Sequence, residues 1–270
     1  MTFEASQLLE HARSVRAHIL RMAHAAQAPH TGSALSCTDL LVALYWRILR
    51  IDPQHPQSPD RDRLILSKGH ASTAQYAALA ERGFFPKSVL EEYAQDGGRL
   101  AEHAGPHCVP GFEAATGSLG HGLAIGAGLA LAAKLRNASY RVFVILSDGE
   151  CYEGSVWEAA LFAPAQRLDN LVAIVDFNGW SAMARTAAAL NPLPEKWRSF
   201  GWAVQEIDGH DFNQIVPTME ATPFEPGRPS LILAHTVKGK GVSFMEDDLE
   251  WHYRPPSSED LARALLEIRA

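Results

Sequence analysis

Short, unbroken apolar runs separated by helical patterns constrain the fold of this chain more than any other feature. The runs lie at residues 64–66, 142–146, 171–175 and 231–235. They do not alternate apolar with polar residues, which is typical of strands buried on both faces of a parallel sheet. Helical spacing is found at residues 119–135, 157–167 and 213–221. This alternation predicts an α/β fold, with helices on both faces of a mostly parallel sheet.

We expect residues 1–270 to form a single domain, with helices in the first fifty residues and a short amphipathic helical tail at the end. The uncharged stretch at residues 114–133 is rich in glycine and contains polar residues, which favours a buried helix over a membrane span. Gly120, Gly122 and Gly126 resemble a dinucleotide-binding loop. Because no strand directly precedes them, close helix packing is the better interpretation.

Composition excludes several classes of function. The formal net charge of -7 argues against electrostatic binding to nucleic acid or to an anionic membrane. Three cysteines are too few, and an odd number, for a disulfide scaffold. The first twenty residues mix charges with apolar residues and do not resemble a signal peptide. We therefore expect a cytoplasmic protein.

Polar residues follow two of the predicted strands directly. Asp148 comes after the second apolar run and Asn178 after the third, each next to a glycine. Because ligands of parallel sheets bind at the carboxyl ends of the strands, these side chains should lie close together. A carboxylate, an amide oxygen and a nearby backbone carbonyl suit Mg²⁺, whose remaining positions can be filled by phosphate and water. Taken singly, each residue could instead cap a helix or a turn.

Asp148-Gly149 followed by Asn178 resembles the thiamine-diphosphate signature, and the surrounding sequence resembles the N-terminal, diphosphate-binding half of transketolase. The match runs in order over residues 10–256. The stretches that carry it include PHTGSALSCTDLLVALYW, DRLILSKGHASTAQYAALAERGFF, PGFEAATGSLGHGLAIGAGLALAAKL, SDGECYEGSVWEAALFAPAQRLDNLVAIVDFN, GWAVQEIDGHD and TVKGKGVSFME. The resemblance implies the thiamine-diphosphate-binding fold and this cofactor, with Mg²⁺ or Ca²⁺.

The resemblance also implies roles for individual residues. Asp148, Asn178 and the carbonyl of Trp180 match the metal ligands, and His70 matches a histidine that contacts the cofactor phosphates. The segment Gly117, Ser118 and Leu119 matches one that lies against the aminopyrimidine. The remaining residues implied to surround the cofactor are Ser147, Gly149, Glu150 and Asn178 itself.

Four residues are implied to be catalytic. His30, His103 and His252 match histidines of the substrate channel, where imidazoles can bind ketose hydroxyls and developing negative charge. Glu153 matches a glutamate buried between the two cofactor sites of a dimer. Lys238 and Lys240, in a Lys-Gly-Lys-Gly sequence, could hold phosphate or belong to a mobile loop at the entrance of the site.

Two departures from the family pattern bear on the cofactor and substrate. Ser147 replaces the first glycine of the signature, so it must fit through its backbone or add a hydroxyl donor. Trp180 is bulky where aliphatic residues are common, and the sequence GWSAMART after Asn178 is unlike the usual one. The resemblance therefore does not identify the sugar.

The resemblance implies a two-carbon ketol transfer from a ketose or ketose phosphate to an aldose. Transketolases have a pyrimidine-binding domain after the segment matched here, so we expect the N-terminal subunit of a split enzyme, active only with a separate pyrimidine-domain subunit in an α₂β₂ complex. Two alternatives stay open. One is the α-subunit of a thiamine-dependent 2-oxoacid dehydrogenase that passes an acyl group to a carrier domain. The other is a non-catalytic binding protein with a thiamine fold.

Overall fold

The computed structural model describes residues 5–105 and 108–269 and contains one parallel sheet of five strands. The strands are β1 (Arg63–Leu66), β2 (Val142–Ser147), β3 (Leu171–Phe177), β4 (Ala203–Asp208) and β5 (Ser230–His235). Their order across the sheet is β1-β2-β3-β5-β4, and every neighbouring pair is parallel. The predicted α/β fold with a parallel sheet is confirmed.

Helices connect the strands and cover the sheet. They are α1 (Ala5–Ala26), α2 (Thr31–Ser36), α3 (Thr38–Ala43), α4 (Ser72–Arg82), α5 (Gly122–Leu135), α6 (Gly154–Ala165), α7 (Ala187–Leu190), α8 (Leu193–Ser199), α9 (Phe212–Glu220) and α10 (Ser258–Arg269). A π-helical turn, Leu44–Ile48, continues α3, and short 3₁₀ turns are found at Gly69–Ala71, Lys87–Glu92, Gly149–Tyr152 and Glu250–His252. The predicted helical tail is α10.

Successive apolar residues of β1, β2, β3 and β5 belong alternately to two different hydrophobic clusters. In β2, Phe143 and Ile145 pack with α1 to α4 and α9, whereas Val144 and Leu146 pack with α5, α6 and α8. All residues of β2 are buried, which is why its sequence is apolar from Val142 to Leu146. The sheet is therefore the central layer between two sets of helices, as predicted.

The glycine-rich helix packs close to the sheet. A Cβ added to Gly126 of α5 would lie 2.5 Å from Cγ2 of Val144, and one added to Gly122 would lie 2.3 Å from Oγ of Ser67. These glycines serve close packing, the interpretation that their sequence context favoured over dinucleotide binding. In the described part of the chain, no helix is long and apolar enough to cross a membrane.

Candidate active site

A cavity of about 590 Å³ opens beside the carboxyl ends of β2 and β3. Most of the residues predicted to form the site line it. These are His30, His70, His103, Gly117, Leu119, Ser147, Gly149, Glu153, Asn178, Trp180 and His252. Ser33, Lys68, Tyr152 and Tyr253, together with residues 181–185, complete much of the wall. The strand–turn positions that the sequence singled out therefore meet at one place.

Three predicted residues do not line the cavity. Asp148 is completely buried beside it. Ser118 is exposed next to the lining residues Gly117 and Leu119. The Glu150 carboxylate is buried behind the wall, where it accepts hydrogen bonds from the backbone N–H groups of Gly120 (2.8 Å) and Ser147 (3.2 Å) and from the Ser67 hydroxyl. Glu150 therefore holds together the loops around the cavity by hydrogen bonds, and its carboxylate does not face the cavity interior.

Asp148 is a buried carboxylate held by neutral donors. Its Oδ1 accepts the N–H of Gly149 at 2.9 Å, and its Oδ2 accepts the N–H of Gly179 at 2.9 Å and the hydroxyl of Thr186 at 2.5 Å. Burial raises its pKa to about 6, and the nearby Asp176 carboxylate acts in the same direction. A cation beside Asp148 would relieve this cost, so its surroundings fit a metal.

The other proposed metal ligands lie on the neighbouring loop. Asn178 Oδ1 accepts the N–H of Trp180 at 3.0 Å, and the carbonyl oxygen of Trp180 lies 3.6 Å from the position of a Cβ built on Gly149. Among the described residues, no three His, Cys, Asp or Glu side chains are grouped to hold a metal. The donor set is one carboxylate, one amide oxygen and one backbone oxygen, which suits Mg²⁺ with phosphate oxygens as further ligands.

A buried polar network lies behind Asn178. The amide of Asn178 donates to Ser36 Oγ at 3.3 Å, and Ser36 Oγ donates to Asp176 at 2.6 Å. Lys68 Nζ donates to the same carboxylate and to the carbonyl of Ser33, the latter at 2.9 Å. Burial opposes the charge of Lys68, but Asp176 holds its pKa above the usual value. The network fixes the orientation of the Asn178 amide, leaving its oxygen on the side of Trp180.

Four histidine rings cluster in the cavity wall. The ring centroid of His30 lies 5.3 Å from that of His70, 5.7 Å from that of His103 and 5.0 Å from that of His252. Burial lowers the pKa of His30, takes that of His70 well below its ordinary value and brings that of His252 to about 3. These three rings are therefore neutral at pH 7, and each can donate one hydrogen bond through its N–H and accept one at its other ring nitrogen.

Lys238 is a buried cation behind the lining residue His252, and the sequence alone left its role undecided. It is 1% exposed, and its Nζ lies 3.0 Å from Nδ1 of His252. Because the ammonium group only donates, Nδ1 accepts and the ring proton of His252 is on Nε2. Burial lowers the pKa of Lys238 to about 8, and the Lys68 charge adds to the effect. Lys240 is instead partly exposed, with its Nζ 3.7 Å from Glu246.

Two further site residues, Ser33 and Lys68, were assigned no role from the sequence, although both lie in quoted motifs. Their signal was position: Ser33 lies in α2, three residues after His30, and Lys68 comes just after β1. At Ser147 the hydroxyl accepts the N–H of Glu150 at 3.2 Å, so this residue replaces a glycine without blocking the strand end.

Comparison with known proteins gives a consistent result. Residues 9–266 match the family described as transketolase, thiamine diphosphate binding domain. The 6-deoxy-6-sulfo-D-fructose transketolase subunit SqwG of Clostridium sp. (strain MSTE9) is 43% identical over 241 residues, covering 88% of each chain. One subunit of the apulose-4-phosphate transketolase of Phocaeicola vulgatus is 39% identical over 255 residues, covering 94% of this chain and 90% of the relative.

A solved structure agrees with these matches. Transketolase from Campylobacter jejuni superposes with a TM-score of 0.92 at 28% identity, covering 99% of this chain. This chain spans 43% of the length of that protein, whereas it spans most of each subunit relative. The family that the sequence motifs indicated is confirmed.

Proposed function

Because the chain belongs to the transketolase family, as its thiamine-diphosphate-binding domain, we propose that it is the diphosphate-binding subunit of a two-chain transketolase. The enzyme moves a two-carbon ketol unit from a sugar or sugar-phosphate ketose to an aldose acceptor. The observation that carries this proposal is one cavity that is lined by the neutral rings of His30, His70 and His252 and that has Asp148 buried beside it with only neutral hydrogen-bond donors. The first arrangement suits a metal and diphosphate, and the second suits a polyhydroxylated substrate.

Asp148, Asn178 and the Trp180 carbonyl would hold Mg²⁺, and the metal would bind the diphosphate oxygens. His70 and Lys238 would donate to the same anion, since His70 lines the cavity and the Lys238 ammonium contacts the lining residue His252. Gly117 and Leu119, with Ser118 next to them, would lie against the aminopyrimidine. When bound, thiamine diphosphate supplies a nucleophilic carbon and an electron sink for the ketol fragment.

The protein's own groups act on the substrate by binding and proton placement. His30, His103 and His252 would donate to ketose oxygens and to the oxygen on which negative charge develops. The Lys238 contact leaves the Nε2 proton of His252 as its donor. Glu153 lies on the exposed edge of the cavity wall in the single chain, where a second chain could cover it.

A separate subunit that carries the pyrimidine domain would complete the site in an α₂β₂ complex and would supply the glutamate that activates the aminopyrimidine of the cofactor in this family. Support comes from the two subunit relatives, whose names describe transketolase subunits and which match this chain along most of their length. We also propose a cytoplasmic location, to which the free thiols of Cys37, Cys108 and Cys151 are suited.

The test is reconstitution. The chain is purified alone and with candidate pyrimidine-domain subunits, then assayed with Mg²⁺, thiamine diphosphate and a panel of phosphorylated and sulfonated ketoses with aldose acceptors. We expect ketol transfer only from the pair, with a mass that corresponds to two copies of each chain. Transfer by this chain alone would contradict the two-chain proposal. Decarboxylation of 2-oxoacids without ketol transfer would favour a 2-oxoacid dehydrogenase subunit, and failure to bind the cofactor would favour a non-catalytic protein.

A further inference from the structure

Residues 179–186 form a tight antiparallel turn at the edge of the cavity, which we call the 179–186 turn. Trp180 and Arg185 pair across it as an isolated bridge. The N–H of Ser181 donates to the carbonyl of Ala184 at 2.9 Å, and the N–H of Thr186 donates to that of Gly179 at 3.0 Å. The turn therefore has the hydrogen bonding of a short hairpin.

The base of this turn binds the Asp148 carboxylate. The Gly179 N–H and the Thr186 hydroxyl both donate to Asp148 Oδ2, and the Trp180 N–H donates to Asn178 Oδ1. Any movement of the turn thus changes the positions of the carboxylate, the amide and the Trp180 carbonyl together.

A single carboxylate outside the cavity holds the outer part of the turn. Asp247 Oδ1 accepts Nε1–H of Trp180 at 2.9 Å and Nη1–H of Arg185 at 2.7 Å, and its Oδ2 accepts Nη2–H of Arg185 at 2.6 Å. The Arg185 guanidinium also lies over the Trp180 ring, 3.8 Å from its centroid. Hydrogen bonds from Arg185 and Trp180 lower the pKa of Asp247. Each of the three side chains therefore contacts the other two.

Asp247 is in turn fixed to the loop after β5. Its backbone N–H donates to the carbonyl of Lys238 at 2.9 Å, and its φ of 58° is in the left-handed region that most residues avoid. The side chain of Lys238 reaches His252 on the cavity wall. Asp247 consequently joins the loop that bears the metal ligands to the loop that bears Lys238.

We propose that Asp247 is a positioning residue for the metal–diphosphate site: through Trp180 and Arg185 it holds the 179–186 turn in the conformation that binds the metal. This inference rests on the proposed function. An isolated ion pair as exposed as this one, with side chains 52% and 56% accessible, would contribute little. Here a bidentate pair, a cation–π contact and an indole hydrogen bond share one carboxylate, so that together they restrain the turn.

The experiment measures the dissociation constant of Mg²⁺ by calorimetry at saturating thiamine diphosphate, using the full chain with its partner subunit. Asp247→Asn, Trp180→Phe and the double variant are compared with wild type. Glu92→Gln is the matched control, because Glu92 also forms an exposed bidentate pair, with Arg99 at 2.8 and 2.5 Å, outside the cavity wall. The melting temperature of each metal-free variant is measured in parallel.

We expect each single variant to raise the dissociation constant roughly three- to tenfold, given the usual strength of such contacts. The dissociation constant of the double variant should be only slightly higher than that of the weaker-binding single variant, because both changes release the same turn. Added salt should narrow the difference between wild type and Asp247→Asn, since the pair is accessible to ions. The Glu92→Gln control should bind like wild type, and the metal-free melting temperatures should agree.

Wild-type affinity in Asp247→Asn would overturn the inference while leaving the proposed function intact. So would an equal loss in Glu92→Gln, or a loss matched by a lower melting temperature of the metal-free chain. If the wild-type complex itself binds no Mg²⁺ with thiamine diphosphate, the proposed function fails first and this inference fails with it.

Discussion

The backbone N–H of His30 donates to the carbonyl oxygen of His252 at 2.8 Å, and the two imidazole rings lie 5.0 Å apart at an angle of 84°. His30 precedes α2 with a left-handed φ of 71°, and His252 ends a 3₁₀ turn near the other end of the chain. One hydrogen bond thus joins two distant segments at the substrate side of the cavity. A non-glycine residue in this conformation is unusual, and this contact helps to hold it.

His30→Asn and His103→Ala should slow turnover with little effect on cofactor affinity. Asparagine is chosen at position 30 because it tolerates positive φ, as alanine does not. Hydrogen-bond donors aimed at developing charge typically lower the activation barrier by about 2–4 kcal/mol. Removing one should therefore decrease kcat by the factor that corresponds to this energy. His70→Ala should instead weaken cofactor binding. Steady-state kinetics and calorimetry on the two-chain complex test this division, which an identical cofactor-binding defect in all three variants would contradict.

Cofactor affinity should decrease as the pH rises above about 8. Burial lowers the pKa of Lys238 to about 8, so above that pH the side chain is mostly a neutral amine. A neutral amine attracts the anionic diphosphate less than the ammonium group does. The stability of the cofactor-free chain should change in the opposite direction. Between about pH 8 and the ordinary lysine pKa of 10.5, unfolding lets Lys238 take up a proton, so the free energy of unfolding increases with pH. Calorimetry between pH 7 and pH 9 measures the decrease.

The Lys238→Met variant should bind thiamine diphosphate more weakly than wild type at pH 7. Its cofactor affinity should also lose most of the decrease between pH 7 and pH 9. Lys240→Met is the matched control, because Lys240 lies on the same loop but is partly exposed. A pH profile of Lys238→Met parallel to that of wild type would show that another group titrates.

The sequence predicted four of the five strands because each is buried on both faces. It missed β4, which pairs only with β5 at the edge of the sheet. There Gln205 and Glu206 are exposed, so the run lacks the continuous apolar character by which the other strands were recognised. β1 is also an edge strand, but its residues Leu64–Leu66 are buried, so it is the solvent exposure within β4 that distinguishes it from the other four strands.

The residues of the candidate site likewise divide into those that the local sequence could predict and those that it could not. Residues directly after strands or in glycine-bearing loops, such as Asp148 and His30, could be predicted, since topology brings strand ends together. Asp247 could not, because its role depends on a side-chain contact across two loops. Glu150 shows the converse, since a motif position alone does not say whether a carboxylate faces the cavity or the loops behind it.

Gly126→Ala should destabilise the fold, whereas Gly128→Ala on the same helix should stabilise it. A Cβ at Gly126 would lie 2.5 Å from the buried Val144, while one at Gly128 would meet nothing within 4 Å. Overpacking of this kind costs about 1–3 kcal/mol, and alanine in an open helical position gains about 0.5–1 kcal/mol. Urea unfolding of the cofactor-free chain gives both values. Equal effects at the two positions would contradict the close approach of α5 to the sheet.

Asp148→Asn should separate metal binding from folding. Burial raises the pKa of Asp148 to about 6, so between its ordinary value of 3.8 and that value unfolding releases a proton and stability decreases as the pH rises. At pH 7 the neutral amide removes a buried charge, and its one oxygen can keep the bonds from Gly179 and Thr186, while its NH₂ group loses the bond from the Gly149 N–H. Because these two effects oppose each other, the metal-free variant should unfold at a urea concentration close to that of wild type. Loss of the carboxylate should nevertheless reduce Mg²⁺ affinity by several kcal/mol, on the order of a hundredfold or more.

Asp169→Asn serves as the control for this substitution, because Asp169 lies just before β3 at the opposite end of the strand and pairs with Lys134. It should leave Mg²⁺ binding unchanged while losing that surface contact. Calorimetry with Mg²⁺ and thiamine diphosphate, beside urea unfolding without them, gives the two readouts separately. If Asp148→Asn retained wild-type Mg²⁺ affinity, the metal would be bound elsewhere. If the variant failed to fold, the carboxylate would be needed for the Gly179 and Thr186 contacts themselves, and its burial would no longer be evidence for a cation.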